Sequence, residues 1–310
     1  HIYDGDWPDV YDAVRGIRRV LDEYPDRMAV GEVFGPPEVL AQYHGGEALD
    51  GLHLAFNFRG ILEDREPDAA ATWSADRLRR VIDDFEAALP NGAWPNFVLN
   101  DHDRSRFISR HTEDGRGPER ARVAAMLLLT VRGTPFIYYG EEIGMQDVPI
   151  PPERAQDPAR FHRPPGRDPE RTPMQWSSAP SAGFTTGEPW LPLGDPTISV
   201  ASQMDDPASL LSLYRRLIWF RKGSAALRSG SYRSLDGMPE DIFAYVRESP
   251  NERLLIALNF GLEPRVVPLP ERFAGGRVII STDPARDGGL VRGSMLDLFP
   301  NEGWIVSDTV

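Results

Sequence analysis

The feature that most restricts the fold of this chain is the alternation of short apolar strands with helices over residues 7–139. Four apolar runs predict strands, at residues 28–33, 51–58, 96–100 and 135–139. Apolar residues at helical spacing predict the helices around them, at residues 7–24, 38–43, 74–90 and 119–132. Strands that alternate with helices pair in parallel through right-handed crossovers, so an α/β fold is predicted here. Four such strands amount to half of an eight-stranded barrel.

The rest of the chain changes in character twice. Residues 146–200 are rich in Pro, Gly and Asp, which predicts a long irregular loop at the rim of the barrel. A last barrel helix is predicted at residues 210–221. After Gly230, turn residues separate short strands predicted at 242–247, 254–259, 265–268, 278–281 and 304–306. We therefore predict an α/β unit over residues 1–228 and a small antiparallel β domain over residues 229–310.

Charge and composition exclude several classes of partner. The formal net charge is -13 and the pI is about 5.0, whereas nucleic acids and anionic membranes bind clustered Lys and Arg. No apolar run is long enough to span a bilayer. The absence of Cys removes disulfides, thiol catalysis and cysteine-based metal sites together. We expect a cytoplasmic protein without nucleic-acid or membrane partners, and a neutral sugar is compatible with its acidic surface.

Two carboxylates stand at predicted strands of the α/β unit. Asp103 and its neighbour His102 follow the strand at 96–100, in the polar segment NDHDRSR. Glu32 lies inside the first apolar strand, where an ionised carboxylate is costly unless it has partners or a proton. In α/β barrels the functional groups sit where the strands end. Glycoside hydrolysis uses two such carboxylates, one as proton donor and one near the sugar cation.

Four motifs resemble, in this order, those of the α-amylase family of glycoside hydrolases (family 13): GEV at 31–33, HDRSR at 102–106, GTPFIYYGEEIGM at 133–145 and RTPMQW at 171–176. The last motif is followed by AGF at 182–184 and PWLP at 189–192, and the set resembles the α-glucosidase, oligo-1,6-glucosidase and trehalose-synthase branch. The resemblance implies that residues 1–228 are the C-terminal half of a (β/α)8 TIM barrel. It also implies that the β domain behind them is a small antiparallel β-sandwich.

The resemblance assigns roles to matching residues. Glu32 is predicted to be the general acid/base, because a carboxyl on a partly apolar strand keeps its proton near neutral pH. The alternative is a buried structural Glu paired with an Arg. Asp103 is predicted to hold glucose hydroxyls and to stabilise the oxocarbenium-like transition state, while His102 donates to the same sugar. The alternative for this pair is a turn Asp with a capping His.

Further residues have both a functional and a structural interpretation. Arg171 matches an Arg that reaches a glucose hydroxyl in the innermost subsite of that branch, and an ordinary surface Arg is the alternative. Arg106 either binds substrate, as the motif suggests, or anchors the strand-end loop through a carboxylate. Glu141 and Glu142 follow the fourth strand, in a segment that is mainly architectural in the family. Asp101 replaces the family's usual Asn, and the extra carboxylate is expected to raise the pKa of its neighbour.

The nucleophile of the retaining mechanism is missing from this sequence. That mechanism needs a second carboxylate about 5 to 5.5 Å from the acid, and in the family a Gly-Phe-Arg-x-Asp segment supplies it. The sequence contains no such segment, and neither Asp4 nor Asp6 is a candidate because no strand precedes them. We expect that the chain begins shortly after the nucleophile strand and that its partner is the N-terminal half of the same barrel. General acid catalysis alone supplies roughly 10²–10⁴-fold, so we expect this chain by itself to be nearly inactive.

No cofactor or metal is expected. The loop that often binds calcium in the family is absent from the sequence. His44 and His53 have no paired metal-ligand spacing. Trp176, Phe184 and Trp190 either stack on sugars or pack a loop.

Three functions remain open at this point. The leading hypothesis is a fragment of a retaining α-glucosidase that removes terminal α-linked glucose from short oligosaccharides. A trehalose synthase or another transglycosylase uses the same catalytic groups and differs in how well its site excludes water. A non-catalytic carbohydrate-binding or scaffold protein is the third, and the joint presence of Glu32, His102, Asp103 and Arg171 argues against it, since a scaffold does not need them.

Overall fold

The structure is a computed structural model that describes residues 7–59, 73–162, 164 and 166–308, so Asp4 and Asp6 lie outside the described residues. Its α-helices are α1 Pro8–Leu21, α2 Pro37–Tyr43, α3 Ala75–Ala88, α4 Phe107–Arg110, α5 Gly117–Thr130, α6 Val200–Gln203, α7 Leu210–Gly223 and α8 Ala225–Ser229. Every helix predicted from periodicity is present, and Ser74 caps α3 as its position suggests, accepting the backbone N–H of Arg77. Within these ranges no helix has both the length and the apolar character needed to cross a membrane.

The predicted strands of the α/β part are present as two parallel pairs. Strand β1 (Val30–Gly31) pairs with β2 (Leu54–Ala55), and β3 (Asn96–Val98) pairs with β4 (Thr134–Phe136). The two pairs are connected by a side-chain hydrogen bond, in which Oδ1 of the buried Asn96 accepts the backbone N–H of Asn57 at 3.2 Å. All four strands are shorter than predicted, and in β4 Pro135 has no N–H to donate. Within each pair the carboxyl ends lie at the same edge.

The predicted irregular segment is irregular in the structure. Between Met145 and Ser199 the described residues form no strand, and their short 3-10 helices are Pro152–Arg154, Pro158–Phe161, Pro169–Arg171 and Pro180–Gly183. Each begins at a proline, whose fixed φ suits the first position of a helical turn. Side chains replace a regular backbone ladder here. For example, the buried Gln175 amide donates to the carbonyl oxygen of Asp195 at 2.5 Å.

The C-terminal residues form two antiparallel sheets. The strands are β5 Ser231–Ser234, β6 Ile242–Ser249, β7 Glu252–Asn259, β8 Arg265–Pro268, β9 Arg277–Ser281, β10 Met295–Leu298 and β11 Gly303–Ser307. The larger sheet has the order β5-β6-β7-β11-β9, and β8 pairs with β10 in the smaller one. Val246 and Leu255 of the larger sheet share one apolar core with Val267 and Leu296 of the smaller. The sequence analysis missed β5 and β10, which have four residues each.

Helix α5 joins the α/β part to the C-terminal sheet. Its residues from Val123 to Thr130 are all buried, and most of them belong to one apolar core that also contains Leu217 of α7 and Ile256 of β7. At its end the hydroxyls of Thr130 and Tyr245 are 2.6 Å apart. The two parts of the chain therefore pack through a continuous apolar interface, and hydrogen bonds such as this one also cross it.

Candidate active site

The segment that follows β3 forms a turn that carries His102 and Asp103. Asn100 is buried beyond the end of the strand, and its Oδ1 accepts the backbone N–H of Phe107, which closes the segment at the start of α4. Asp101 Oδ1 accepts the backbone N–H of Asp103 at 2.9 Å, a local turn typical of Asp and Asn. The turn places both side chains at the strand end, as the sequence predicts.

Asp103 is surrounded by two arginines and a histidine. Its Oδ1 lies 2.7 Å from Arg171 Nη2, 3.0 Å from Arg167 Nη1 and 3.4 Å from His102 Nε2. Partial burial alone would raise the pKa of Asp103, but the nearby His102 and the two arginines outweigh it and lower that pKa. The rise expected from the extra carboxylate of Asp101 is therefore not found at Asp103, which is a carboxylate at neutral pH.

The structure brings three of the predicted site residues together. Arg171 ends a 3-10 turn, and besides its contact with Asp103 it donates from Nε to the carbonyl oxygen of His102 at 2.6 Å. This second hydrogen bond holds the Arg171 side chain against the turn, which the alternative of an ordinary surface Arg does not require. The His102 side chain is 60% exposed, so its ring is accessible to a ligand.

Glu32 lies directly after β1 and is exposed. The sequence analysis placed it inside an apolar strand and predicted that burial would keep its proton. The described part of the chain does not supply that burial, because the strand ends at Gly31 and the next buried side chain is Val33. Glu32 therefore follows the strand instead of lying inside it, and it lacks the burial that was predicted to keep its proton.

Arg106 is 1% exposed, and its geometry favours the anchoring alternative. Nη1 donates to the carbonyl oxygen of Tyr139 at 2.7 Å, and Nη2 donates to that of Glu170 at 2.8 Å. Its guanidinium also lies over the rings of Tyr138 and Tyr139, 4.9 Å from each centroid. The anchor therefore uses backbone carbonyls rather than the carboxylate that the sequence analysis named, and it leaves no exposed face for a sugar.

Two residues that the sequence analysis did not select belong to this site. Arg167 contacts Asp103, and it is bound in turn by the buried Asp157 through Nε at 2.9 Å and Nη2 at 3.1 Å. Both lie in the irregular segment, where no periodicity distinguishes one polar residue from another. The only sequence signal that could have pointed to Arg167 is its position four residues before Arg171, where the RTPMQW motif begins.

Glu141 has a structural position behind the site. The side chain is buried, with Oε2 accepting from Asn100 Nδ2 at 2.6 Å and Oε1 accepting from the Tyr214 hydroxyl at 2.9 Å. Burial raises the pKa of Glu141 to about 7, although these hydrogen bonds act in the opposite direction. Burial also raises the pKa of Glu142. The architectural role expected for this segment agrees with these contacts.

We predict that Glu141→Gln flattens the pH dependence of stability. The pKa of Glu141 is about 7 in the folded chain against 4.5 ordinarily, so its stabilising contribution is lost as the pH rises from about 4.5 through about 7. This difference between the folded and the ordinary pKa corresponds to a loss of roughly 3 kcal/mol in the free energy of unfolding above pH 7. The glutamine amide is neutral throughout, and it can still accept from Asn100 and donate to the Tyr214 oxygen.

Thermal unfolding of both proteins between pH 5 and 8 measures this effect. The parent should lose stability relative to the variant as the pH rises. Glu153→Gln, at an exposed position of the irregular segment, is the control and should follow the parent. Parallel pH curves for the parent and Glu141→Gln would contradict the prediction.

The contacts of Asp103 with His102, Arg167 and Arg171 do not involve the other described residues singled out from the sequence. Trp176, Phe184 and Trp190 are half exposed, so the stacking alternative stays a prediction. His53 Nδ1 accepts the backbone N–H of Ala29 at 3.1 Å, and burial lowers the pKa of His44. Within the described ranges no three His, Cys, Asp or Glu side chains are grouped so that they could hold a metal ion.

Two carboxylates follow parallel strands in this structure. Asp103 follows β3 and is held by two arginines, and Glu32 directly follows β1. Functional groups at strand ends are typical of an α/β-barrel enzyme. The comparisons with known proteins specify the class. Residues 1–230 match the model of the α-amylase catalytic domain. The chain belongs to the α-amylase family, family 13 of the glycoside hydrolases, in its α-glucosidase and oligo-1,6-glucosidase branch.

Two curated relatives illustrate that branch. A probable α-glucosidase of Rhizobium meliloti (strain 1021) is 34% identical over 279 residues, which cover 87% of this chain and 49% of the relative. An oligo-1,6-glucosidase of Parageobacillus thermoglucosidasius is 31% identical over 283 residues, which cover 82% of this chain and 50% of the relative. The chain thus spans about half the length of the curated relatives it matches.

Two solved structures share its fold. The α-glucosyl transfer enzyme XgtA superposes with a TM-score of 0.85 at 30% identity, covering 99% of this chain and 56% of the enzyme. The trehalulose synthase MutB of Pseudomonas mesoacidophila MX-45 superposes with a TM-score of 0.84 at 29% identity, covering 97% of this chain and 59% of the synthase. These neighbours are TIM-barrel enzymes with a C-terminal β-sheet domain, and the antiparallel sheet of this chain matches that arrangement.

Proposed function

We propose that this chain supplies the second half of the (β/α)8 barrel, over residues 1–228, and the all-β domain, over residues 229–310, of a retaining α-glucosidase. Its substrates would be short oligosaccharides with a terminal α-linked glucose. The observation that carries the proposal is the placement of Asp103 after β3, where two arginines and His102 converge on it. The similarity to α-glucosidases and oligo-1,6-glucosidases supports the substrate class.

The chemistry of Asp103 follows from its charge. Its low pKa keeps it ionised at neutral pH, so it can accept hydrogen bonds from glucose hydroxyls. As the glycosidic bond breaks, positive charge develops on the sugar ring, and a fixed carboxylate nearby stabilises that charge more than it stabilises the substrate. Arg171 and His102 keep the carboxylate in one orientation, and the exposed His102 ring can donate to the same sugar.

Glu32 is the proposed general acid/base. A proton donor must reach the glycosidic oxygen, and an exposed carboxyl at the end of β1 can do so. The nucleophile would come from residues that the sequence does not contain, since no Gly-Phe-Arg-x-Asp segment is present. With acid catalysis alone, the chain by itself would be nearly inactive.

The experiment uses the longest translation product of the gene that contains this chain. Maltose, isomaltose and sucrose would be supplied separately, and the products separated by chromatography. Release of free glucose from maltose or isomaltose supports the glucosidase. No reaction with any of the three would contradict the proposal and favour the carbohydrate-binding or scaffold alternative.

A second candidate is a transglycosylase of the same family. Its support is the fold similarity to the trehalulose synthase and to the α-glucosyl transfer enzyme. The catalytic groups are the same, and the two activities differ in whether water or a sugar hydroxyl takes the glucosyl group. Isomeric disaccharides without free glucose, in the same experiment, would identify this alternative.

We predict that Asp103→Asn lowers kcat/KM for maltose by about 10²–10³-fold in that translation product, because a neutral amide no longer opposes the developing positive charge. Asp101→Asn is the matched control, since it removes a charge two residues away and keeps an oxygen that can accept the Asp103 N–H. The control should change kcat/KM far less. Equal losses in both variants would show that the effect comes from net charge and not from the position of Asp103.

A further inference from the structure

Asp157 is a buried carboxylate in the irregular segment, and its hydrogen bonds concentrate on Arg167. Its side chain is 1% exposed. Oδ2 accepts the backbone N–H of Arg167 at 2.8 Å and its Nε–H at 2.9 Å, while Oδ1 accepts from Nη2 at 3.1 Å and from the backbone N–H of Ala159 at 3.1 Å. A buried carboxylate is stable only when it is paired and hydrogen-bonded, and Asp157 meets both conditions.

The pairing determines where the rest of the Arg167 guanidinium points. Asp157 occupies the edge formed by Nε and Nη2, and such two-point contacts fix the plane of a guanidinium. The nitrogen left over, Nη1, lies 3.0 Å from Asp103 Oδ1. Arg167 therefore bridges a buried carboxylate and the carboxylate of the candidate site.

The backbone that carries Asp157 is itself held in place. Asp168, 1% exposed, accepts the backbone N–H of Gln156 at 2.6 Å and that of Asp157 at 2.9 Å. Gly166 permits the close approach, because its φ is +87° and a Cβ there would lie 3.0 Å from Asp157 Oδ2. The residues on both sides of Arg167 thus pack directly against the residue that binds its side chain.

We infer that Asp157 is a positioning residue that holds the Arg167 guanidinium against Asp103, where the terminal glucose of the substrate binds. The inference rests on the proposed function, because it concerns recognition of that glucose. The two arginines at Asp103 are held by different devices. Arg171 is tied to the His102 carbonyl at 2.6 Å, whereas Arg167 depends on Asp157. Removing the Asp157 charge should release Arg167 alone.

The test compares Asp157→Asn with the parent in the longest translation product. Asparagine preserves the size but removes the charge and one of the two acceptor oxygens. Charge-assisted hydrogen bonds of this kind contribute enough to predict a roughly 10–100-fold rise in KM for maltose, with a smaller change in kcat. Asp195→Asn is the matched control, because Asp195 is exposed in the same segment and its Oδ1 accepts from the backbone N–H and the hydroxyl of nearby Thr197.

A second measurement does not depend on activity. With ¹⁵N-labelled arginine, hydrogen exchange of the Arg167 Nε–H reports whether Asp157 holds it, and Arg167→Lys identifies the signal by its loss. We expect exchange to accelerate about tenfold or more in Asp157→Asn and not in Asp195→Asn. Unchanged exchange overturns the inference, and so does faster exchange with an unchanged KM in an active enzyme. An inactive parent would overturn the proposed function only, and the exchange rate would then decide the role of Asp157.

Discussion

Replacement of Glu32 by glutamine, in the longest translation product that contains this chain, should lower kcat for maltose by about 10²–10⁴-fold. A glutamine amide cannot protonate the glycosidic oxygen, so the glucose leaving group departs as a strongly basic alkoxide. It also cannot remove a proton from the attacking water in the second half of a retaining reaction. The measurement is the initial rate of glucose release at saturating maltose, over a range of pH.

The leaving group provides a test that is specific to an acid. p-Nitrophenolate departs without protonation, so Glu32→Gln should impair bond cleavage in p-nitrophenyl α-glucoside much less than in maltose. Added azide should restore turnover, because azide attacks the glycosyl-enzyme intermediate without the help of a base. Glu38→Gln is the control, at an exposed position in the first turn of α2. An equal loss on both substrates, without azide rescue, would remove Glu32 from the acid/base role.

The α/β part was predictable because its local signals agree with its packing. The periodicity of residues 74–90 and the cap at Ser74 both favour a helix, and the structure has one at Ala75–Ala88. The strands were placed correctly but predicted too long, because an apolar pattern does not reveal where ladder hydrogen bonds stop. Ser231–Ser234 was missed for the opposite reason. It is a polar edge strand whose side chains are exposed or half-buried, so pairing with β6 alone defines it.

The site was predictable only where a strand or a distinctive sequence motif indicates it. His102 and Asp103 follow β3, and Arg171 belongs to a distinctive motif, so their mutual contacts agree with the sequence-based hypothesis. Arg167 and Asp157 lie in a segment without periodicity, and only the folded backbone brings them to Asp103. Arg106 had two interpretations in the sequence analysis, substrate binding and anchoring of the strand-end loop, and its burial against backbone carbonyls favours the second.

A second buried arginine connects β6 to the α/β part, and within the described residues its hydrogen bonds all go to backbone carbonyls. Arg247 is fully buried, and its guanidinium donates to the carbonyl oxygens of Thr130, Ala226, Leu227, Gly230 and Ser231 at 2.6 to 3.2 Å. Burial and the nearby Arg221 lower the pKa of Arg247 to about 10, so it remains charged at neutral pH. The carbonyls at the ends of α5 and α8 have their negative partial charge directed at this cation.

Arg247→Met should therefore reduce the free energy of unfolding by about 3–5 kcal/mol, which corresponds to two or three of these buried carbonyls losing their donor. Methionine relieves the desolvation of the charge, but it leaves a cluster of buried carbonyls without their donor, and each such group costs about 1–3 kcal/mol when no other donor reaches it. Urea unfolding followed by tryptophan fluorescence measures the change. Arg253→Met, which breaks a half-exposed pair with Glu248 on the neighbouring strand, should shift the midpoint far less. Equal shifts in the two variants would mean that Arg247 contributes no more to stability than a surface ion pair.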